Sequence, residues 1–185
     1  TCCTIAWMAI TLDQLRLTGD PRAADELELA TWNALLGAQN ADGRWWTYNT
    51  PMDGERRASA HDIVFQARAG SPELNCCSVN GPRGLGMLSE WAVMAAPDGL
   101  ALNYYGPAIF TAPLAQGGAV RLTMSGTYPY GGHLVLYVAP DAPARFALHL
   151  RIPGWSRRTT VKLNGVPQPG VRPGAYLTLE REWRG

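Results

Sequence analysis

The hydrophobic period of the chain changes once, near Asp98-Gly99, and this change restricts the fold more than any single motif. Before it, apolar residues recur every three or four positions: Ile5, Met8, Leu12 and Leu15, then Leu27, Ala30, Ala34 and Ala38. Such spacing lays one apolar stripe along a helix. After it, Val120, Leu122 and Met124 alternate with Arg121, Thr123 and Ser125. The runs Leu134, Leu136, Val138 and Phe146, Leu148, Leu150, Ile152 obey the same rule of two. Alternation marks a strand with one buried face, and several short strands at this spacing suggest a sandwich. The pattern predicts an α+β chain, helical over 1–98 and an antiparallel β-sandwich over 99–185.

Turn residues divide these halves further. Gly19-Asp20-Pro21 ends a first helix at Thr18 and opens a second at Pro21, with Asp20 as N-cap, running to about Ala38. The two form an antiparallel hairpin whose small alanines allow close approach. Residues 39–75 are irregular, rich in Gly, Pro, Asn and Asp, and carry the rings of Trp45, Trp46, Tyr48 and Phe65. A long irregular stretch of that kind is usually functional or disordered, and the aromatics favour function. Gly81-Pro82 starts a third helix, with Leu85, Leu88, Ala92 and Ala95 on one face, which stops near Ala96-Pro97. Asn164-Gly165 between short apolar runs signals a tight hairpin.

Composition narrows the function. At 46% apolar and 17% charged, the 185 residues describe a soluble globular protein. A net charge of +1 leaves no electrostatic footprint for nucleic acid. No apolar run approaches the roughly 18 residues of a membrane span. The chain opens inside a helical pattern at Thr1 and stops soon after a strand at Ala175–Trp183, so a fragment of a longer protein is expected. No pattern in it speaks to an oligomeric state.

Four cysteines are too few to staple a small secreted domain, and they come as Cys2-Cys3 and Cys76-Cys77. Adjacent cysteines seldom bridge each other, because the small ring strains the peptide bond between them. At the mouth of a helix, the dipole there favours the thiolate and lowers its pKa. Cys2, Cys76 and Cys77 can supply three corners of a tetrahedral zinc site. From the residues alone, small buried thiols and a redox-active pair stay open beside metal binding. Free thiols favour a cytoplasmic setting.

Resemblance favours the metal. Thr1-Cys2, Cys76-Cys77 with Asn80 and Arg83, Tyr128-Pro129-Tyr130-Gly131-Gly132 and Arg151-Ile152-Pro153-Gly154-Trp155 stand in the order and at the separations of glycoside hydrolase family 127. Ala24-Asp25-Glu26-Leu27-Glu28 with Trp32-Asn33 also resembles that family. The resemblance implies the end of an (α/α)6 barrel followed by a β-sandwich, from an enzyme releasing β-linked L-arabinofuranose. It further implies Zn2+ held by three cysteines, matching Cys2, Cys76 and Cys77, and by a glutamate upstream of Thr1. Cys76 matches the nucleophile, and the acid/base glutamate also falls upstream. The fragment alone is therefore expected to be inactive. Ser78-Val79 replaces the family's proline-rich step, and Cys3 beside Cys2 is a second departure.

A sugar ligand needs more than sulfur. Glu28 matches a substrate-binding carboxylate, against a plain surface ion pair. His61, beside Asp62, and Trp45, with Trp46 and Tyr48, are candidates to contact or stack on sugar, against structural or core roles. Asn80 and Arg83 are candidates to orient the cysteine loop, against capping and surface roles. The rival to the hydrolase is a non-catalytic module in which zinc holds helices together or that binds carbohydrate.

Overall fold

Helix α1 (Cys2–Thr18) buries the four residues that the spacing picks out, Ile5, Met8, Leu12 and Leu15. It ends on Gly19, whose φ of 62° suits a residue without a Cβ, and the Gly19 amide donates to Leu15 O. Asp20 then caps α2 (Pro21–Leu29) by accepting from the Arg22 amide at 2.9 Å. The computed structural model describes residues 1–41, 43, 45–48 and 76–184 and divides into two units, Thr1–Leu88 and Ser89–Gly185.

The second helix does not run to Ala38 as one α-helix. It widens into a π-helical stretch, Ala30–Leu35, and closes with α3 (Leu36–Ala38). A π turn bonds residue i to i+5, so the inward face moves one position along the chain. Leu35 is therefore fully buried, whereas Ala34, expected inside, is half-buried.

The third helix departs further from the expectation. α4 (Cys76–Gly86) already includes both cysteines, and Pro82 lies inside it rather than opening it. Its buried residues are Cys77, Gly81 and Gly84, at i, i+4 and i+7. A Cβ on Gly84 would lie 2.5 Å from Ile5 Cδ1 and 2.9 Å from Leu35 Cδ2. The absence of side chains is thus what lets α4 settle against α1 and the π turn. Gly84→Val should cost about 2 kcal/mol by overpacking, read as a lower urea midpoint; an unchanged midpoint would show that this contact is slack.

Nor does helix continue to Ala96. After α5 (Leu88–Trp91), Val93–Ala96 is strand β1, which folds back on β2 (Gly99–Leu102) through Pro97-Asp98. Pairing with β2 outweighs the helical spacing of the alanines. There follow β3 (Ala108–Pro113), β4 (Ala119–Gly126), β5 (Leu134–Pro140), β6 (Ala144–Ile152), β7 (Lys162–Leu163), β8 (Val166–Pro167) and β9 (Ala175–Trp183). One sheet has the order β1-β2-β6-β9 and another β3-β4-β5. β2 and β6 run parallel, with Leu100 opposite Leu148, so the first sheet is mixed rather than wholly antiparallel. β7 and β8 meet at Asn164-Gly165, both at positive φ, as a two-residue hairpin requires. The fold is α+β and rich in antiparallel pairs.

The core of the second unit draws on both larger sheets: Leu100, Val120, Leu122, Phe146, Leu148 and Ile152 form part of one buried cluster. No helix among the described residues is long and apolar enough to cross a membrane.

Candidate metal centre

Two helix starts, 74 residues apart along the chain, bring their sulfurs together. Cys2 opens α1 and Cys76-Cys77 open the described part of α4, and close packing of these helices at Gly84 and Ile5 sets the two ends side by side. Cys2 Sγ lies 3.3 Å from Cys76 Sγ and 3.8 Å from Cys77 Sγ, and Cys76 Sγ lies 3.8 Å from Cys77 Sγ. A disulfide needs about 2.05 Å, so these are not bonded pairs. With Zn–S bonds of about 2.3 Å, the corners of a tetrahedron stand about 3.8 Å apart. Two edges of the triangle have that length, and the third needs only a small spread. The three sulfurs form the one group of metal-ligating side chains found among the described residues. Cys3, next along α1, is exposed and lies outside the group.

Burial decides the protonation of these thiols when no cation is near. Loss of solvent pushes the Cys76 thiol up to about 12, and hydrogen bonds with Cys2 and Cys77 add to the rise. Burial also raises Cys77, followed by the charge of a Cys2 thiolate. The lowered pKa expected at a helix start is therefore not what the folded chain shows: burial first, and the neighbouring thiols next, raise both groups. A soft divalent ion reverses the balance by replacing the protons. The donor set fits zinc: three sulfurs at near-tetrahedral spacing supply three of its usual four ligands.

Around the sulfurs, Asn80 Nδ2 donates to Cys76 O at 2.9 Å and reaches Cys2 Sγ at 3.4 Å. Arg83 is exposed on α4. Glu28 is 3% exposed on α2, buried rather than on the helix surface. Trp45 and Tyr48 are half-buried and Trp46 is buried. His61 lies outside the described residues, as do Asp62 and Phe65.

Sequence reading passed over the backbone of residues 46–48. Thr47 O accepts from Thr1 Oγ1 at 2.7 Å, beside Cys2, and the Trp46 amide donates to Ser78 Oγ at 3.3 Å, beside Cys77. The signal that could have found it is Gly81, a helix-interior glycine that the Trp46 ring covers.

Comparison with known proteins agrees with the geometry. Residues 1–90 match the family described as beta-L-arabinofuranosidase, GH127 catalytic domain, and residues 99–185 match the GH127 middle domain. No curated protein matches the chain. A solved structure described as a glycoside hydrolase superposes with a TM-score of 0.79 at 25% identity, covering 99% of this chain and 30% of its own. A GH127 beta-L-arabinofuranosidase from Geobacillus stearothermophilus T6 does so at 0.71 and 25% identity, over 97% of this chain and 29% of its own. A GH127 beta-arabinofuranosidase at 21% identity shares the fold, with a TM-score of 0.78 over 99% of this chain and 30% of its own. The chain thus spans under a third of the length of these solved relatives. Matched over 1–90 and 99–185 by two domains of the same enzyme, the chain belongs to glycoside hydrolase family 127.

Proposed function

We propose that this chain carries the zinc–thiolate centre of a retaining glycosidase that releases β-linked L-arabinofuranose or a related sugar. Its helical unit would be the end of an (α/α)6 barrel and its strands part of a β-sandwich. The observation that carries the reading is the approach of three sulfurs to within 3.8 Å from distant points of the chain. Cys2, Cys76 and Cys77 hold the metal, and Cys76 is the nucleophile. Zinc, when bound, keeps the thiols deprotonated at neutral pH, and a thiolate is a far better nucleophile than a thiol.

The reaction then follows the double-displacement logic of retaining glycosidases. The Cys76 sulfur bonds to the anomeric carbon as the glycosidic C–O bond breaks, and the leaving oxygen takes a proton from a carboxylic acid of the whole protein. Water, activated by the resulting carboxylate, displaces the sulfur and returns the proton. Asn80 holds the cysteine turn while the sulfur changes partners. Glu28, His61 and Trp45 contact the sugar, the half-buried indole of Trp45 by stacking. Free thiols of this kind need a reducing compartment such as the cytoplasm.

Zinc titration in weak buffer at pH 7 tests the centre. Cys76 and Cys77 both hold their protons there without metal, so each ion should release about two protons or more. The sign follows: apparent affinity should rise with pH, about 100-fold per unit for two displaced protons. Binding without proton release would exclude thiolate ligation. Proton release with no turnover of an aryl β-L-arabinofuranoside by the whole protein would leave zinc a structural role. Reversible loss of two thiols under mild oxidant, with no zinc uptake, would point to redox chemistry.

A further inference from the structure

We infer that residues 46–48 act as a positioning strap that sets the distance between Cys2 and the Cys76-Cys77 pair, with the Trp46 ring seated on Gly81 as its anchor. The inference rests on the metal reading above. It concerns residues other than the three cysteines.

The two halves of the thiol cluster belong to different helices, and something must fix the gap between them. The segment does this from both sides. At its far end Thr47 O accepts from Thr1 Oγ1 at 2.7 Å, and Tyr48 O accepts from Thr1 N at 3.3 Å, one residue before Cys2. At its near end the Trp46 amide donates to Ser78 Oγ at 3.3 Å, one residue after Cys77. Trp46 also pairs with Gln39 in a β-bridge, and the Thr47 amide donates to Ala38 O at 2.9 Å, so the segment is tied to the end of α3 as well. It touches all three helical elements around the site.

The ring makes the strap rigid. Trp46 is 4% exposed, and a Cβ on Gly81 would lie 2.3 Å from its Cδ2 and 2.5 Å from its Cγ and Cε2. Real Cβ contacts are never that close, so the indole lies flat on the α4 backbone in space that any other residue would fill. Gly81 is one helical turn beyond Cys77, so movement of the ring shifts the turn that carries the cysteines. Trp46 Nε1 is buried with no hydrogen-bond partner among the described residues, a cost accepted for that packing.

The test measures metal geometry rather than turnover. Cobalt(II) replaces zinc in the metal-free protein, and its thiolate charge-transfer and d–d bands report the sulfur arrangement; zinc affinity comes from competition with a chromogenic chelator. Gly81→Ala displaces the ring, and Ser78→Ala and Thr1→Val each remove one tie with little effect on packing. Residues that orient metal ligands typically change affinity by about 10- to 100-fold when replaced, and Gly81→Ala is expected in that range with altered cobalt bands. Each single-tie variant should lose about 10-fold. Leu15→Val, a core change far along α1 from Cys2, should lower the melting temperature without altering bands or affinity, which separates positioning from general loosening. Wild-type bands and affinity in the folded Gly81→Ala and Ser78→Ala variants would overturn the strap while leaving the metal centre standing. Failure of the wild-type protein to bind either metal would instead overturn the centre and the strap together.

Discussion

Replacing Cys76 with alanine should lower kcat for an aryl β-L-arabinofuranoside by at least about 10⁴-fold in the whole protein, as removal of a covalent nucleophile does elsewhere. The fold should survive, because Cys76 is only half-buried on the first described turn of α4 and its truncation removes a few contacts. Cys76→Ser should be almost as inactive, since a hydroxyl has a far higher pKa and is a poor ligand for a soft ion. Cys77→Ala makes the contrast. Cys77 is 1% exposed and its replacement should weaken zinc binding first, with activity recovering in part at high zinc. Iodoacetamide should label Cys76 faster in zinc-loaded than in metal-free protein at neutral pH, because without metal the thiol keeps its proton, and a bound sugar should slow the labelling. If Cys76→Ala kept activity within about tenfold of wild type, it could not be the nucleophile.

Arg151→Ala should destabilise the second unit by about 3 kcal/mol, combining a lost cavity filler with a hydrogen bond withdrawn from a buried acceptor. Arg151 is fully buried on β6. Its Nε donates to Asn103 O at 2.8 Å, and its guanidinium carbon sits 5.3 Å from the centre of the Tyr105 ring. Asn103 is itself fully buried, donating from Nδ2 to Trp91 O at 2.9 Å and accepting from the Tyr176 hydroxyl. The arginine thus closes a network that joins the end of α5, the segment after β2, β6 and β9. For a chain of this size the loss corresponds to a fall of about 6–12 °C in melting temperature. Arg151→Lys should recover little of it, since an ammonium reproduces neither the planar stack nor the Nε donor geometry. A melting temperature unchanged in Arg151→Ala would mean that the network contributes nothing net.

Periodicity was a sound guide wherever burial is one-sided. Val120, Leu122 and Met124 on β4 and the inward row of α1 fall where simple counting puts them, because each element has one face to hide. It misled where burial is two-sided or the helix is irregular. On β6, Ala147 and Arg151 are buried on the face where alternation expects solvent, so both faces of this strand are covered there. The π stretch moved the inner face from Ala34 to Leu35, and no propensity scale marks a π turn. Val93–Ala96 reads equally well as helix or strand, and only the partner strand β2 settles it.

Residue types and their order alone were enough for an α+β chain, the Asn164-Gly165 hairpin, the Gly19-Asp20-Pro21 junction and the family, since these depend on local geometry or on motifs in sequence. The thiol cluster was legible as a choice of residues but not as a place. Its existence depends on α4 settling onto α1 at Gly84 and onto Trp46 at Gly81, contacts between segments tens of residues apart. Such contacts are determined by which surfaces fill each other's space, a property of the folded chain that no local pattern carries. The same packing withdraws water from Cys76 and Cys77 and raises their pKa, so that without a metal they are thiols and not the thiolates that a helix start by itself would favour.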